Sequence, residues 1–297
     1  MSGLFGLYRP PGIPVAAARE IYEILAGACG VTFFVWVQHH APVRMLARSD
    51  NGALRARYLD ELCAGRTVAG VAFAYLRRPG PSAVVARPVD GGYVVEGEAP
   101  WVTSWGLADV FSVAARLDDR VLYFLVDASE PALEPSLPLE LAAMNASSTV
   151  RLGINDLFVS HEDVLSVIPF EDWRAADRTA TAQPNPAAFG IAATCVRHLD
   201  KYAPDAAEAL GAEVDDCRAR SYALADSAHA DPTALVGARA ESLALAVRAA
   251  TALVASAGGR AMALDHPAQR LLREAAFFTI QAQTPELRGA TLAQLTS

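Results

Sequence analysis

The chain has 297 residues, of which 53% are apolar and 20% are charged, and its formal net charge is −8. A chain of this length and apolar content can bury a large core, which excludes general disorder. The acidic balance argues against nucleic acid as a partner, because phosphate binding needs a concentrated basic field.

Cysteine spacing and the start of the chain indicate the compartment. The four cysteines, Cys29, Cys63, Cys195 and Cys217, form no metal-type pair and no dense disulfide framework, so we predict reduced core thiols and no metal. The start lacks a basic segment followed by an apolar one, and the apolar run 31–37 is too short to cross a bilayer. We therefore expect a cytoplasmic protein without a membrane partner.

The first 65 residues predict a short helical part. Apolar residues recur at helical spacing between Pro14 and Gly30, and segment 31–47 is apolar enough for a buried helix. Asn51 is suited to cap a third helix, which Gly65 would end.

Residues 66–168 predict a β-domain. Six β-branched or aromatic runs, separated by turn residues such as Asp90-Gly91-Gly92, predict strands at 67–76, 82–89, 93–98, 110–116, 121–126 and 149–159. Their spacing is typical of an antiparallel sheet or barrel.

Residues 185–297 predict a helical bundle. Four pairs place a capping residue before a first-turn proline: Asn185-Pro186, Asp231-Pro232, His266-Pro267 and Thr284-Pro285. Short connections between the helices favour an up-and-down bundle. The predicted fold class is α+β, with N-terminal helices, a middle antiparallel β-barrel domain and a C-terminal up-and-down helical bundle.

This order, together with segment 91–116, GGYVVEGEAPWVTSWGLADVFSVAAR, resembles the acyl-CoA dehydrogenase superfamily, whose β-domain carries a similar Gly-Tyr strand pair ending in Trp-x-Thr. Segments 39–66 and 257–275 are similar to the family's segment before the β-domain and to its last bundle helices. The resemblance implies a divergent, N-terminally shortened member. It also implies a flavin-dependent oxidoreductase with FAD, acting on an acyl-CoA or a related small substrate.

The resemblance implies a set of cofactor-binding residues. The family's motif Trp packs beside the flavin ring and its Thr bonds the ring, and these positions are Trp101 and Thr103 here. An aromatic wall excludes water, and a donor beside the ring stabilises negative charge on the reduced flavin. The same comparison adds the residues Phe73, Tyr75, Arg77, Ser82 and Thr284.

Several positions depart from the family pattern. Arg77 and Arg78 replace a Thr and an acid, and they either clamp a phosphate or end a strand in solvent. Ala282 stands where many members have the catalytic Glu, so it cannot accept a proton, while Thr284 either contacts the flavin or caps a helix. Other carboxylates are substitute bases or solvated helix charges, namely Glu208, Glu213 and Glu241.

These departures leave the cofactor and the reaction open. Segment 200–215 lacks the family's adenine-binding Arg-x-x-Phe-Gly string, so FMN or a loss of flavin binding stands beside FAD. His39 and His40 are either core residues or proton-exchanging groups of the flavin monooxygenase branch. A non-catalytic homologue serving as partner subunit is the third alternative.

The start of the chain raises the question of oligomeric state. Segment 1–8, MSGLFGLY, resembles an internal stretch of the family that normally follows helices covering the flavin pocket. Without that cover, segment 31–37 would expose Val31, Phe33, Phe34, Val35 and Trp36. We therefore expect a homo-oligomer that hides this surface, or a natural start before Met1.

Overall fold

The computed structural model describes Phe5 and residues 12–297, so the predictions for segment 1–8, apart from Phe5, lie outside the described residues. The chain divides into two compact units. A sheet unit contains Phe34–Leu141 and Asn145–Arg174, together with the described residues up to Val15. A helical unit contains Ala16–Phe33, Ala142–Met144 and Ala175–Ser297. The described residues among the first 65, which we expected to form one part, are divided between the two units.

Three helices open the described chain, at the positions that the sequence predicts. They are α1 (Val15–Ala28), α2 (Gly30–Arg48) and α3 (Gly52–Ala64). The Asn51 side chain accepts the backbone N–H of Leu54 at 3.0 Å and so caps α3. Gly65 ends α3 with a left-handed φ of 69°, which glycine adopts without steric cost.

The sheet unit is built on eight strands within residues 12–297. They are β1 (Ala69–Ala72), β2 (Val84–Val89), β3 (Gly92–Val102), β4 (Val110–Leu117), β5 (Arg120–Asp127), β6 (Leu133–Pro135), β7 (Val150–Ser160) and β8 (Val164–Pro169). The order is β6-β7-β3-β2-β4-β5-β8, and β1 pairs with β4 in parallel. Most pairs are antiparallel, which confirms the predicted sheet. The sequence did not predict the short strands β6 and β8.

The first strand ends earlier than the sequence predicts. After Ala72 the chain leaves the sheet and forms a short 3-10 helix, Ala74–Arg77. Tyr75 is buried there, and its hydroxyl shares its hydrogen between the carbonyl oxygens of Ala72, at 2.8 Å, and Ala114. A buried phenol needs an acceptor, so this inward turn satisfies it at the expense of strand pairing.

The C-terminal part contains six helices among the described residues. They are α4 (Phe170–Ala182), α5 (Pro186–Leu199), α6 (Pro204–Ala225), α7 (Pro232–Ala257), α8 (Pro267–Phe278) and α9 (Pro285–Thr296). Each predicted cap accepts a backbone N–H of the first turn that follows it, at Asn185, Asp231, His266 and Thr284. Helix α4 was not predicted.

Helix α7 lies at the centre of the helical unit and packs against α5, α6, α8 and α9. Segment Pro232–Met262 is long and apolar enough to cross a membrane by length and composition alone, and 44% of its most apolar window is buried in the protein. That burial, together with the buried Arg239 on α7, is typical of a core helix in a bundle.

Helix α1 packs against α5 at unusually short range. A Cβ atom added to Gly190 would lie 2.1 Å from the carbonyl oxygen of Glu23, and one added to Gly27 would lie 2.5 Å from the Oγ1 of Thr194. The backbones therefore approach where only glycine fits. In addition, the Glu23 carboxylate accepts from Arg218 Nε at 2.8 Å.

Two side-chain expectations can be compared with the fold. Cys63, Cys195 and Cys217 are buried free thiols and Cys29 is partly buried, as predicted for core residues. In segment 31–37, however, Phe33 and Trp36 are buried and the other apolar residues are partly buried. This segment is therefore not the exposed apolar patch that the sequence suggested, because Phe33 and Trp36 are turned inward and the other apolar side chains are partly covered.

Candidate functional site

The end of strand β3 presents a half-exposed tryptophan. The register between β3 and β7 shifts between Ala99 and Val102, so a β-bulge interrupts the pairing. Trp101 lies in this bulge with 50% of its surface exposed, while Val102, Thr103 and Ser104 are buried. The bulge thus keeps one large aromatic accessible beside a buried polar segment.

Three buried hydroxyls, at Thr103, Ser147 and Thr149, touch one another and form what we call the hydroxyl cluster. The Oγ1 atoms of Thr103 and Thr149 are 3.1 Å apart, and the Oγ of Ser147 lies 2.7 Å from the Oγ1 of Thr149. Nothing in the sequence pointed to Ser147 or Thr149, because they precede β7, far from the Trp-x-Thr motif.

Ser104 follows the motif in an unusual conformation. Its φ is 70°, in the left-handed region that favours glycine or asparagine, and its N–H donates to the carbonyl oxygen of Ser147 at 2.9 Å. The buried Oγ of Ser104 has no hydrogen-bond partner within the described part of the chain. Buried hydroxyls are nearly always bonded, so this orphaned atom indicates a partner such as a bound ligand.

The cofactor-binding residues predicted near the first strand are either partly buried or bonded to the backbone. Phe73 is partly buried, and Arg77, partly buried, lies in the last turn of the 3-10 helix. The Ser82 Oγ donates to the carbonyl oxygen of Val84 at 2.9 Å, and burial raises the pKa of Tyr75. The hydroxyls of Ser82 and Tyr75 are therefore engaged by backbone carbonyls.

The segment between α8 and α9 carries no proton acceptor at the position of the family's glutamate. Ala282 has a φ of 53°, a left-handed conformation that is costly for alanine. Thr284 is buried, and its Oγ1 accepts the Leu287 N–H at 3.2 Å, which caps α9.

Arg239 holds this segment in place from helix α7. Its guanidinium donates to the carbonyl oxygens of Thr181 at 3.0 Å, Gln183 at 3.2 Å and Gln281 at 3.2 Å. One buried side chain therefore ties the residue before Ala282 to the end of α4 and to the connector after it. No sequence signal indicates this role, since Arg239 lies on an ordinary Ala- and Leu-rich stretch.

The proposed substitute bases are on the surface. Glu208 is exposed, Glu213 pairs with Arg248, and Glu241 lies 2.7 Å from Arg220 Nη2. These contacts are typical of solvated helix charges.

A further carboxylate, Glu274 on α8, was missed by the sequence reasoning. It is only 3% exposed and accepts from Arg270 Nη1 at 2.7 Å. Burial raises the pKa of Glu274, and the charge of Arg270 opposes that shift. Because Glu274 is buried and paired with Arg270 inside the helical unit, its surroundings are those of a residue that stabilises the fold.

The two adjacent histidines are core residues. His39 Nδ1 accepts the N–H of Ala69 at 3.0 Å, so its Nε2 carries the hydrogen and donates to the carbonyl oxygen of Leu62 at 3.1 Å. Burial lowers the pKa of His39. Burial, with smaller contributions from His39 and Arg44, lowers the pKa of His40 to about 3. Both rings are therefore neutral near pH 7.

Comparisons with known proteins show what the chain is similar to. No protein-family model matches the chain. The chain is 24% identical to isovaleryl-CoA dehydrogenase of Oryza sativa subsp. japonica over 303 residues, which cover 91% of this chain and 73% of the relative. It is also 24% identical to 2-methylacyl-CoA dehydrogenase of Solanum tuberosum over 306 residues, which cover 91% and 72%.

Solved structures share the fold. Butyryl-CoA dehydrogenase from Megasphaera elsdenii superposes with a TM-score of 0.81 at 18% identity, covering 99% of this chain and 88% of that one. A glutaryl-CoA dehydrogenase from Mycobacterium smegmatis in complex with FADH2 gives a TM-score of 0.81 at 16% identity, covering 99% and 83%. Sequence and fold together confirm the resemblance to the acyl-CoA dehydrogenase superfamily.

Proposed function

We propose that this chain, which has the fold and sequence features of the acyl-CoA dehydrogenase superfamily, is a flavin-dependent oxidoreductase acting on an acyl-CoA or a related small substrate. The observation that carries this proposal is the end of β3. There the half-exposed Trp101 is followed two residues later by Thr103 of the buried hydroxyl cluster and then by Ser104, whose Oγ is orphaned. An apolar aromatic beside hydroxyl donors suits a flavin ring, which has flat apolar faces and a polar edge.

The residues at the end of β3 fit a flavin, and each of them would have its own role in holding the ring. When bound, the flavin supplies the two-electron chemistry that side chains lack. Trp101 would pack against the ring and exclude water, while Thr103 and Ser104 would donate to its polar edge. FAD is the first choice, because a structural relative is in complex with FADH2. FMN is the alternative, since the adenine-binding string is missing from residues 200–215.

A non-catalytic partner subunit is the second candidate, and Ala282 favours it. The methyl group of Ala282 cannot take a substrate proton, and Glu274, on the preceding helix, is buried and paired with Arg270. The monooxygenase alternative has less support, because both ring nitrogens of His39 bond to backbone groups. A cytoplasmic location and a homo-oligomeric state belong to the proposal, although the burial of Phe33 and Trp36 removes the exposed patch from which the homo-oligomer was predicted.

Titration of the purified protein with FAD and with FMN, followed by flavin fluorescence, tests the cofactor. We expect saturable binding, and Trp101→Ala should weaken it by about 1–3 kcal/mol through lost stacking area. Phe158→Ala is the matched control, since Phe158 is a similarly exposed aromatic, at 55%, on the neighbouring strand β7. Phe158 pairs with Val94, seven residues before Trp101 and thus roughly 20 Å away along β3. Equal affinity for both variants and the wild type would refute the placement.

Reduction of the bound flavin by acyl-CoA esters separates the two candidates. A positioned general base contributes roughly 10²–10⁴-fold, so the wild type should reduce its flavin slowly and Ala282→Glu should accelerate it. Rapid reduction by the wild type would place a base elsewhere. Flavin binding with no reduction by either protein would favour the non-catalytic subunit.

A further inference from the structure

The hydroxyl cluster has one more hydrogen than its internal bonds can use. Thr103, Ser147 and Thr149 carry three hydroxyl hydrogens, and two contacts join them, at 3.1 Å and 2.7 Å. Each contact uses one hydrogen. Whatever the orientation of the three groups, one hydrogen therefore points out of the cluster.

Burial decides where this spare hydrogen is best placed. Ser147 is fully buried and, within the described residues, its Oγ touches no acceptor other than Thr149. Leaving the hydrogen on Ser147, or on Thr149 between its two partners, would strand a buried donor, which costs free energy. If Ser147 donates to Thr149 and Thr149 donates to Thr103, the spare hydrogen lies on Thr103, two residues from the half-exposed Trp101. A ligand against Trp101 would then accept it.

Ser104 adds a second unused donor next to Thr103. Its Oγ is buried without a partner in the described chain, and its N–H is fixed on the carbonyl oxygen of Ser147. Ser104 has a left-handed φ of 70°, a backbone conformation that is strained for a residue with a side chain. Two adjacent residues thus each hold a hydroxyl hydrogen that the protein itself does not use.

We propose that Ser147 and Thr149 are positioning residues that orient Thr103 as a hydrogen-bond donor, and that Ser104 is a second donor to the same ligand. The site would then select a planar ligand with two adjacent acceptors on one edge. This assignment rests on the proposed function, under which the two acceptors are the flavin ring nitrogen that takes up the hydride and the carbonyl oxygen beside it. Hydride uptake turns the nitrogen from a hydrogen-bond acceptor into an N–H group, whereas the carbonyl oxygen gains negative charge, so a donor at either atom stabilises the oxidised and the reduced ring to different extents.

The test compares Thr149→Val with Thr149→Ser. Valine keeps the shape but removes the hydroxyl, whereas serine keeps the hydroxyl. We measure the Kd for FAD and for FMN, the midpoint potential of the bound flavin and the thermal midpoint of unfolding. Thr149→Val should weaken binding of the oxidised flavin on the order of threefold to tenfold, as for one hydrogen bond, and should shift the midpoint potential. A tenfold change in the preference for one redox state corresponds to about 30 mV for a two-electron couple.

Further variants control for folding and for local structure. Thr149→Ser should restore both values, and Ser148→Ala should leave them unchanged, because the Ser148 Oγ bonds the carbonyl oxygen of Trp105 at 2.6 Å outside the cluster. Ser147→Ala and Ser104→Ala serve if Thr149→Val does not fold, and each should shift the potential.

The outcomes separate this inference from the proposed function. A lower unfolding midpoint with an unchanged potential in the variants would assign the cluster to structure alone, and wild-type flavin binding would still support the proposed function. A wild type that binds neither flavin would overturn both proposals.

Discussion

Acid should destabilise the protein through the buried histidine His40. The ring is fully buried, its centroid lies 4.5 Å from the ring of Trp36, and the charges of His39 and Arg44 disfavour its protonation. The pKa of His40 is lowered by burial from 6.5 to about 3 in the folded protein. Between pH 6.5 and about pH 3, His40 therefore binds a proton in the unfolded chain but not in the folded chain.

The sign and size of the effect follow from linkage. Stability from neutral His40 is complete above pH 6.5 and is lost as the pH falls toward the folded value of about 3. One proton changes the free energy of unfolding by about 1.4 kcal/mol per pH unit once the unfolded histidine is fully protonated. Between about pH 7.5 and about pH 4.5 the loss from His40 is about 2.5 kcal/mol. The lowered pKa of His39 acts in the same direction.

Urea unfolding of the wild type and of His40→Leu at the two pH values measures this term. Leucine has no titrating group, so the variant should lose about 2.5 kcal/mol less than the wild type over the same interval. Carboxylates titrate in both proteins, and the difference between the two removes their contribution. His229→Gln, at an exposed position, should behave like the wild type. Equal losses in the wild type and His40→Leu would refute the reasoning.

Four further changes should alter stability, measured by urea unfolding at neutral pH. Ala282→Gly should stabilise by roughly 0.5–1 kcal/mol, because glycine relieves the left-handed backbone, and a loss would contradict that conformation. Gly190→Ala should destabilise by about 1–3 kcal/mol, since its Cβ would meet the Glu23 carbonyl oxygen at 2.1 Å, whereas Gly237→Ala, with open space around it, should stabilise by roughly 1 kcal/mol. Arg239→Met should cost roughly 3 kcal/mol by leaving three buried carbonyls without their donor, and a near-neutral result would show that water replaces it.

Local signals in the sequence determined most of the helix starts. An Asx or Ser/Thr side chain before a first-turn proline satisfies free N–H groups within a few residues, so no distant contact is needed. Asn185, Asp231 and Thr284 therefore cap helices where the sequence placed them. The strands between 84 and 127 follow equally local alternation and turn residues. The Trp-x-Thr motif is a local signal as well, and it lies at the end of β3.

Tertiary structure alone decided what the buried polar groups do. Thr103 and Thr149 meet across 46 residues, and His39 accepts from the N–H of Ala69 across 30. The same need for a partner pulls Tyr75 out of its predicted strand onto the carbonyl oxygen of Ala114, which lies 39 residues away. A sequence shows which groups must find a partner once they are buried, but the pairing depends on which atoms the folded backbone brings within about 3 Å.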